Sequence, residues 1–260
     1  MKIGLIGYGN IGKFLLQCIN ENHLIKDAKI TIISGRNQEI GKQVASQYGI
    51  HYTEDMRELI ESDVDLVIEA ATVGVVKKYA AQILKSGKDF LVISVGALVD
   101  KGFYDNLQML CKHSGTRLLL PSGAIGGLDI LKAAKSTGQL ETVSLTTRKP
   151  PQALPGAPFD EESVIFTGTA NEAIEKFPQN INVSIILSLA GIGASRTNVT
   201  IIADPMANRN SHTIVATGSF GKLTLSVEND PMPNNPKTSY LAALSVISTL
   251  QNKDSMIQIG

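Results

Sequence analysis

The stretch GLIGYGNIG near the start of the chain places Gly7, Gly9 and Gly12 in the spacing G-x-G-x-x-G. Glycines at this spacing permit a tight turn, a close approach of backbone amides to a pyrophosphate, and close packing of a helix on a strand. The pattern alone is weak, but here it follows an apolar run of strand length and opens a helix-like segment. It therefore predicts dinucleotide binding rather than a bare structural turn. The residues expected at the nucleotide are Gly7, Gly9, Asn10, Ile11 and Gly12.

The end of the second strand-like run, in TIISGRNQE, is where such folds usually carry an acidic residue that binds the adenine ribose. Ser34, Gly35, Arg36 and Asn37 stand there instead. This tip has no carboxylate to repel a 2′-phosphate, and the guanidinium of Arg36 can pair with one. The sequence therefore predicts use of NADP, or of both NADP and NAD. The alternative is that Arg36 stacks on adenine or points to solvent.

Two later strand ends, EAAT at 69–72 and SVGAL at 94–98, bring small residues to the edge of a sheet. Ligands of open α/β sheets bind at the carboxyl ends of the strands, and small side chains leave room there for the nicotinamide ribose. We therefore expect Ala71 at the cofactor. Glu69 is the charged residue at this edge, and its alternative role is to hydrogen-bond a backbone amide or to cap the next helix.

The segment NRNSHTI contains His212, one of four histidines in the chain. With an unperturbed pKa of about 6.5, an imidazole can accept and return a proton near neutral pH. The other three stand at helix ends or ahead of a strand, where histidine often serves only the helix dipole or solvent: His23, His51 and His113. His212 is therefore the candidate general base, with an ordinary strand residue as the alternative. Asp204, which precedes a proline, either orients His212 or forms a turn.

Composition narrows the class of partner. Lys plus Arg and Asp plus Glu each number 24, with no long run of one sign, so no basic footprint for nucleic acid or an anionic membrane is present. The sequence also contains no secretory signal and no apolar run long enough to span a membrane. Cys18 and Cys111 lack metal-ligand spacing and are expected to be buried free thiols. We expect a cytoplasmic protein that binds a small molecule and no metal.

The elements that must position these groups alternate along the first part of the chain. Apolar runs of strand length are separated by segments of helical period: KIGLIG, KITIIS, VDLVIEAA, DFLVISVG and TRLLLPSG. Five strands separated by helices predict a parallel, doubly wound α/β sheet over residues 1–121.

Beyond Pro121 the pattern changes. A helix is expected at about 126–136, followed by ETVSLTTRK and a Pro-rich surface loop, KPPQALPGAP. The stretches TNVTIIAD, HTIVATG and KLTLSVEN are expected as antiparallel neighbours in a smaller α/β domain over 122–235. Apolar residues at helical spacing in TSYLAALSVISTLQ predict a closing helix, 236–252, that packs on the first domain.

Four segments resemble, in order, those of the L-aspartate dehydrogenase family: LLLPSGAIGGLDIL, PQNINVSIILSLAGIG, ADPMANRNSHTI and ENDPMPNNPKTSYLAALSVISTL. The resemblance extends over essentially the whole chain. It implies an N-terminal Rossmann domain, a second α/β domain, and NAD(P)-dependent oxidative deamination of L-aspartate. In this family the product, iminosuccinate, hydrolyses to oxaloacetate and ammonia or feeds NAD biosynthesis.

The same resemblance assigns roles to three residues. Ala124 of SGAIGG and Asn182 of NINV match positions that contact the cofactor, and His212 matches the family's proposed catalytic residue. For the asparagine, a helix N-cap at Asn180 or Asn182 is the alternative. The resemblance also favours an oligomer, expected here to be a homodimer, and the instability of the imine allows for its hand-off to a downstream enzyme.

A substrate with two carboxylates needs a site that is cationic or rich in backbone amides. Ser122 and Gly123, with Gly126, are expected at the start of a helix, where amides and the helix dipole favour an anion. Lys237 and Thr238 of NPKTS are expected at the start of the closing helix, where the lysine can hold a carboxylate. The alternative for Lys237 is a solvated surface lysine after a capping Asn-Pro.

Two rival functions remain open from the sequence. A related Rossmann oxidoreductase would reduce another imine or oxidise another amino acid, because the nucleotide-binding part is uninformative about the substrate. A non-catalytic sensor of NAD(P) would need no general base, so substitution of His212 distinguishes a sensor from an enzyme.

Overall fold

The computed structural model describes residues 1–154, 156–177, 182–233 and 235–257, with 235–237 described by their backbone alone. The chain divides into two compact units. The first holds Met1–Pro121 and the segment that begins at Val246, and the second holds Ser122–Ser245. Among the described residues, no helix has the length and apolar character needed to cross a membrane.

The first unit alternates strands and helices. Its strands are β1 (Lys2–Ile6), β2 (Lys29–Ser34), β3 (His51–Thr53), β4 (Leu66–Glu69), β5 (Asp89–Val92) and β6 (Leu118–Leu119). Its helices are α1 (Asn10–Leu16), which continues as a π-helical turn over Gln17–Glu21, α2 (Gln38–Tyr48), α3 (Met56–Glu61), α4 (Val73–Lys85) and α5 (Lys101–Ser114). A 3₁₀ turn, Val95–Val99, precedes α5.

These strands form a parallel sheet in the order β3-β2-β1-β4-β5-β6 among the residues described. That order is typical of doubly wound sheets that bind dinucleotides beside the first strand. The sheet confirms the predicted α/β fold. The sequence did not predict β3, because three residues are too few to show a strand pattern.

The central strands of this sheet are buried on both faces. Every residue of β4 is buried, as are Ile3, Leu5 and Ile6 of β1. Parallel sheets covered by helices on both faces favour such continuous apolar runs. The same core includes Val246 and its neighbours at the end of the chain, Ile247 and Leu250.

The second unit is built on a mixed sheet. Its strands are β7 (Leu140–Lys149), β8 (Ser163–Thr169), β9 (Thr197–Ala203), β10 (Asn210–Gly218), β11 (Gly221–Asn229), β12 (Pro231–Met232) and β13 (Asn235–Ser239). Its helices are α6 (Leu128–Ser136), α7 (Ala170–Lys176) and α8 (Asn182–Ala190), and α9 (Tyr240–Asn252) crosses the boundary between the units.

Within the described residues, five strands are ordered β11-β10-β7-β9-β8, and β12 pairs with β13. All neighbouring pairs in the larger sheet are antiparallel except β7 and β9. This confirms a second domain of mostly antiparallel strands. The prediction that β9 and β10 are neighbours was wrong, because β7 lies between them. The closeness of β9 and β10 in the sequence does not show that an earlier strand, β7, lies between them in the sheet.

Two helices begin later than predicted. α6 begins at Leu128, after Gly127, whose φ of +73° is left-handed and outside helical geometry. α9 begins at Tyr240, and residues 235–239 form β13 instead of a first helical turn. Lys237 and Thr238 therefore lie in a strand, and the helix-dipole argument for them was wrong.

The Pro-rich segment after β7 is less exposed than predicted. Lys149, expected to open a surface loop, is the last residue of β7 and is buried. Pro151, in a 3₁₀ turn over Pro151–Ala153, and Leu154 are also buried. Proline prevents a continued helix or central strand, but it does not prevent the segment from packing against the unit.

Candidate functional site

The turn between β1 and α1 has the backbone shape that a dinucleotide requires. Gly7 has a φ of +94°, and a Cβ there would lie 2.5 Å from the carbonyl oxygen of Ala70. A Cβ on Gly12 would lie 2.2 Å from the carbonyl oxygen of Gly7, so no side chain fits where α1 packs on the turn. A Cβ on Gly9 would meet nothing within 4 Å. The turn is thus tight on its protein side and open at Gly9, which fits a bound pyrophosphate.

A cleft of about 1350 Å³ in the first unit includes this turn. Its lining contains most of the residues predicted at the nucleotide: Gly7, Gly9, Asn10, Arg36 and Ala71. Lys13 and Lys78 add positive charge, and Glu54 contributes a carboxylate. This excess of cations suits phosphate groups. Ile11 packs instead against the core of the unit, so its backbone is the part available to a nucleotide.

Two tyrosines shape the loop that follows β2. A Cβ on Gly35 would lie 2.5 Å from the ring of Tyr8, so that ring packs directly on the glycine. The Tyr8 hydroxyl donates to the carbonyl oxygen of Asn37, and the Tyr52 hydroxyl donates to that of Gly35 at 3.0 Å. Arg36, held between these contacts, is exposed on the cleft. Sequence reasoning missed both tyrosines, although Tyr8 stands inside the glycine motif.

Glu69 joins the ends of β4 and β5. Its carboxylate accepts hydrogen bonds from the amide of Ala71 at 2.7 Å, and from the amide and hydroxyl of Ser94 at 2.9 and 2.8 Å. The residue is fully buried, and burial raises the pKa of its carboxyl. The predicted alternative, a backbone hydrogen bond, is confirmed. Glu69 therefore fixes the loop that brings Ala71 to the cleft.

His212 lies in β10 directly opposite Thr147 of β7, and it is 5% exposed. The Thr147 Oγ1 lies 3.0 Å from its Nδ1. With Nδ1 engaged, Nε2 remains for proton exchange with another molecule. Burial, and secondarily the charge of Lys149, lowers the pKa of His212 to about 4. The imidazole is therefore neutral near pH 7, with a pKa below the near-neutral value expected from the sequence.

The buried face of the second sheet becomes polar at one end. Along β7, buried Val143 and Leu145 are followed by buried polar residues, and in the antiparallel strand β10 buried His212 precedes buried Ile214. Four buried polar residues from three neighbouring strands lie there: Thr147, Lys149, His212 and Asn229. We call these four residues the polar end of the sheet. Burial of polar side chains is uncommon, and clusters of them are often found at functional sites. This end of the sheet is therefore the candidate chemical centre of the unit.

Asn229 forms hydrogen bonds with two of the segments in which binding residues were predicted. Its Nδ2 donates to the carbonyl oxygen of Ala124 at 3.1 Å, and its Oδ1 accepts from the Ser239 hydroxyl at 2.6 Å. Segments SGAIGG and NPKTS, which are far apart in sequence, therefore meet at one side chain. The structure places Ala124 near this end of the sheet, where the sequence alone gave no position for it.

The anion site predicted at Ser122 and Gly123 differs in the structure. α6 begins at Leu128, so neither residue belongs to its first turn. The amide of Gly123 donates to the Ser245 hydroxyl at 3.1 Å. The helix-terminus argument for Ser122 and Gly123 was therefore wrong, because the residues from Gly123 to Gly127 form a turn and irregular backbone rather than helix.

Three other predicted residues, Asn182, Lys237 and Thr238, are described to different extents. Asn182 is the first residue of α8 and is exposed, whereas Asn180 lies outside the described residues. Thr238 is half-buried in β13. The side chain of Lys237 lies outside the described residues.

Asp204 serves a turn rather than His212. Its Oδ1 accepts from the amide of Met206 at 2.8 Å, and its Oδ2 accepts from Arg148 at 3.0 Å. Arg148 also contacts Glu162, which gives an ion-paired network on the face of β7 opposite Thr147. The turn-forming alternative for Asp204 is confirmed, and Thr147 is the residue that contacts the imidazole.

The remaining histidines differ from His212 in exposure. His23, His51 and His113 are all exposed, and His51 contacts Glu58 at 2.7 Å. Within the part of the chain that the structure describes, no group of three or more His, Cys, Asp or Glu residues is placed to bind a metal ion.

Sequence reasoning missed Thr147 and Lys149 as members of the site. The signal was present as a strand in which Val143, Leu145, Thr147 and Lys149 share one face. A lysine on the inward-facing side of a strand is unusual, but Lys149 both ends the segment ETVSLTTRK and begins the predicted loop KPPQALPGAP, so it was not recognised as inward-facing. The inward face could be recognised only from the burial of its apolar members.

Comparisons with known proteins agree over the whole chain. Residues 7–121 match the family model "Homoserine dehydrogenase, NAD binding domain", and residues 129–253 match "Aspartate dehydrogenase, C-terminal". An L-aspartate dehydrogenase of Methanosarcina mazei is 42% identical, and one of Nitrosopumilus maritimus is 40% identical, each over 100% of this chain and 99% of the relative. The crystal structure of aspartate dehydrogenase from Thermotoga maritima is similar with a TM-score of 0.80 and 32% identity, covering 100% of this chain and 99% of that one.

Proposed function

Because the chain belongs to the L-aspartate dehydrogenase family, we propose that it catalyses the NAD(P)-dependent oxidative deamination of L-aspartate to iminosuccinate. Hydrolysis of this imine yields oxaloacetate and ammonia. The observation that carries the proposal is His212, a buried and neutral imidazole whose Nδ1 contacts Thr147 at 3.0 Å. This is the arrangement that a base for an amino-acid ammonium requires.

The first unit binds the dinucleotide. The open amides of the turn at Gly9 and the cations Lys13 and Lys78 suit its phosphates. Glu69 holds the loop of Ala71 in place beside the cleft. A nicotinamide held in this cleft would supply the hydride acceptor for oxidation at the α-carbon of the substrate.

His212 takes the proton that the substrate must lose. The amine of L-aspartate arrives as an ammonium, and hydride departure requires its nitrogen lone pair. The neutral Nε2 accepts that proton while Thr147 holds Nδ1. In the ligand-free protein the low pKa makes this imidazole a weak base. Two substrate carboxylates bring negative charge to a buried site, which raises the pKa of a neighbouring imidazole. The strength of the base therefore increases when the substrate is present.

The same imidazole serves the second half of the reaction. After it releases the proton, the neutral Nε2 can take a proton from the water that attacks the imine carbon. The carbinolamine that forms loses ammonia to give oxaloacetate. One buried histidine, alternating between two protonation states, is sufficient for both proton transfers.

The test is an initial-rate screen of the twenty amino acids with NAD and with NADP. We expect L-aspartate to give the highest kcat/KM, with NADP or with both cofactors. A higher kcat/KM for another amino acid would instead assign the chain to a related oxidoreductase. Failure to turn over any amino acid would favour an NAD(P)-binding sensor.

Finer features of this function are also part of the proposal. Arg36 supports binding of the 2′-phosphate of NADP, since it is exposed on the cleft, although Glu54 lines the same cleft. Family membership supports cofactor contacts for Ala124 and Asn182, and substrate contacts for the segments of Ser122–Gly123 and Lys237–Thr238. We further propose a cytoplasmic homodimer that supplies NAD biosynthesis and passes iminosuccinate to a downstream enzyme. Sedimentation velocity of the purified chain tests the dimer.

A further inference from the structure

Lys149 occupies a defined position beside the proposed base. It ends β7 two residues after Thr147, so its side chain lies on the same face as that of Thr147. Thr147 is directly opposite His212 in the neighbouring strand β10. On the other side of β7, Lys149 is opposite Ala203 of β9, which is itself fully buried. Lys149 is therefore a diagonal neighbour of His212 on a shared, buried face.

A buried lysine at this point is energetically unfavourable for the fold. Lys149 is 8% exposed, and burial lowers its pKa to about 8, so the ammonium still carries its charge near pH 7. An apolar residue would continue the face formed by Val143 and Leu145 without the cost of desolvating a charge. The presence of a lysine at this buried position therefore indicates a role in the chemistry of the polar end rather than in packing.

The adjacent residue shows what a structural cation at this end of β7 looks like. Arg148 points to the opposite face, where it bonds to Asp204 at 3.0 Å and contacts Glu162. That network fastens β7 to neighbouring segments of the same unit. Lys149 lies on the other face of β7, beside a neutral imidazole, and its charge contributes to the low pKa of that group. Of these two neighbouring cations, Lys149 is therefore the one that acts on His212.

We propose that Lys149 is a substrate-binding residue whose ammonium receives a carboxylate of the dicarboxylic amino acid while the amine of that substrate faces His212. This inference rests on the proposed function and names the group that anchors its substrate. An amino acid with two carboxylates presents both negative charge and an ammonium proton. A cation beside a neutral base is the complementary arrangement.

The arrangement couples binding to proton transfer. Without substrate, the charge of Lys149 opposes protonation of His212 and keeps Nε2 free. A carboxylate that pairs with Lys149 neutralises this charge and adds its own favourable interaction with an imidazolium. The base thus becomes stronger when the carboxylate is in place, which favours proton transfer from a dicarboxylic substrate.

The decisive experiment measures binding of succinate, a dicarboxylate that has no amine to oxidise, to the full chain with bound NADPH. Calorimetry should show a dissociation constant at least about tenfold higher for Lys149→Met than for wild type, as expected for loss of a charge-assisted hydrogen bond. Lys222→Met, which removes an exposed lysine of β11 in the same unit, is the matched control and should bind like wild type. Equal affinity of Lys149→Met and wild type, or no binding of succinate to wild type, would overturn the proposal.

Steady-state kinetics give a second test that does not depend on one variant. Lys149→Gln keeps hydrogen-bonding capacity without the charge, and it replaces the methionine variant if that variant does not fold. Either variant should raise KM for L-aspartate at least about tenfold and lower kcat by a smaller factor. An unchanged KM with a lowered kcat would contradict the anchoring role.

Succinate binding also separates this inference from the proposed function. If wild type turned over no amino acid, the proposed dehydrogenase activity would fail. Loss of succinate binding in Lys149→Met would still support Lys149 as the anchor, because that measurement requires no turnover.

Discussion

The chemistry of the first unit lies in its backbone, whereas that of the second lies in buried side chains. The nucleotide turn is formed by Gly7, Gly9 and Gly12, which lie in one short stretch of sequence. These residues are suited to the turn because they have no side chain. The polar end of the second sheet draws on side chains from β7, β10 and β11, and Thr147 and His212 are 65 positions apart. A backbone site is defined by local conformation, but a side-chain site depends on strand register over long distances.

The two regions should therefore fail in different ways. Added atoms should damage the nucleotide turn, because a Cβ at Gly7 or Gly12 has no room and a Cβ at Gly9 would enter the space open to the nucleotide. The polar end should be sensitive to loss of a charge or a proton acceptor, because its residues are buried and Thr147 contacts His212. Each region can thus be perturbed while the other keeps its function.

The largest expected effect comes from the base. His212→Ala should lower kcat for L-aspartate by about a hundredfold or more, a typical contribution of a positioned acid or base. Binding of NADPH, measured by its fluorescence, should stay close to that of wild type because the cleft belongs to the first unit. Turnover equal to wild type would remove His212 from the mechanism.

The depressed pKa of His212 predicts a loss of stability in acid. Well above pH 6.5 the imidazole is neutral in both the folded and unfolded states and contributes nothing to the pH dependence of stability. As the pH falls towards 4, the unfolded chain binds the proton and the folded chain does not, so the free energy of unfolding decreases. The full loss, reached below the folded pKa of about 4, is about 3 kcal/mol.

Urea unfolding at several pH values measures this loss. His212→Asn cannot titrate, so its free energy of unfolding should fall less steeply than that of wild type between pH 6.5 and 4. Exposed His113→Asn is the matched control and should follow the wild-type curve. Parallel curves for wild type and His212→Asn would contradict a buried, neutral imidazole.

The glycine turn predicts an intermediate effect. Gly12→Ala would place a Cβ 2.2 Å from the carbonyl oxygen of Gly7, and relief of that overlap should cost about 1–3 kcal/mol of stability. Gly9→Ala meets no protein atom within 4 Å and should leave stability unchanged, while it weakens nucleotide binding. Thermal unfolding together with NADPH titration separates the two variants. Equal stability of both would show that α1 moves freely away from the turn.

Cofactor choice should show the smallest effect. Arg36→Ala should raise the dissociation constant of NADP by about tenfold and that of NAD by less, because only NADP carries the 2′-phosphate that a guanidinium pairs with. Glu54→Gln, which removes the carboxylate of the same cleft, should shift the preference in the opposite direction. Equal losses for NADP and NAD in Arg36→Ala would remove the phosphate contact.

Much of the first unit was predictable because its rules are local. Strand and helix periods gave the doubly wound sheet, and the glycine spacing gave the turn at the end of β1. The three-residue strand β3 and the packing of Tyr8 on Gly35 were missed, since neither leaves a periodic pattern. In the second unit His212 was found from its residue type, its setting and the family resemblance, but its partner was not: Asp204, the candidate in the sequence, belongs to a turn.

The sequence by itself determined the classes of element, the nucleotide turn and the identity of the candidate base, because each depends on residue types within a short window. Only the tertiary structure decided which residues surround that base. Insertion of β7 beside β10 set Thr147 against His212 and buried Lys149 next to it. A register shift of one residue would turn both β7 side chains to the opposite face, and nothing local in the sequence fixes that register.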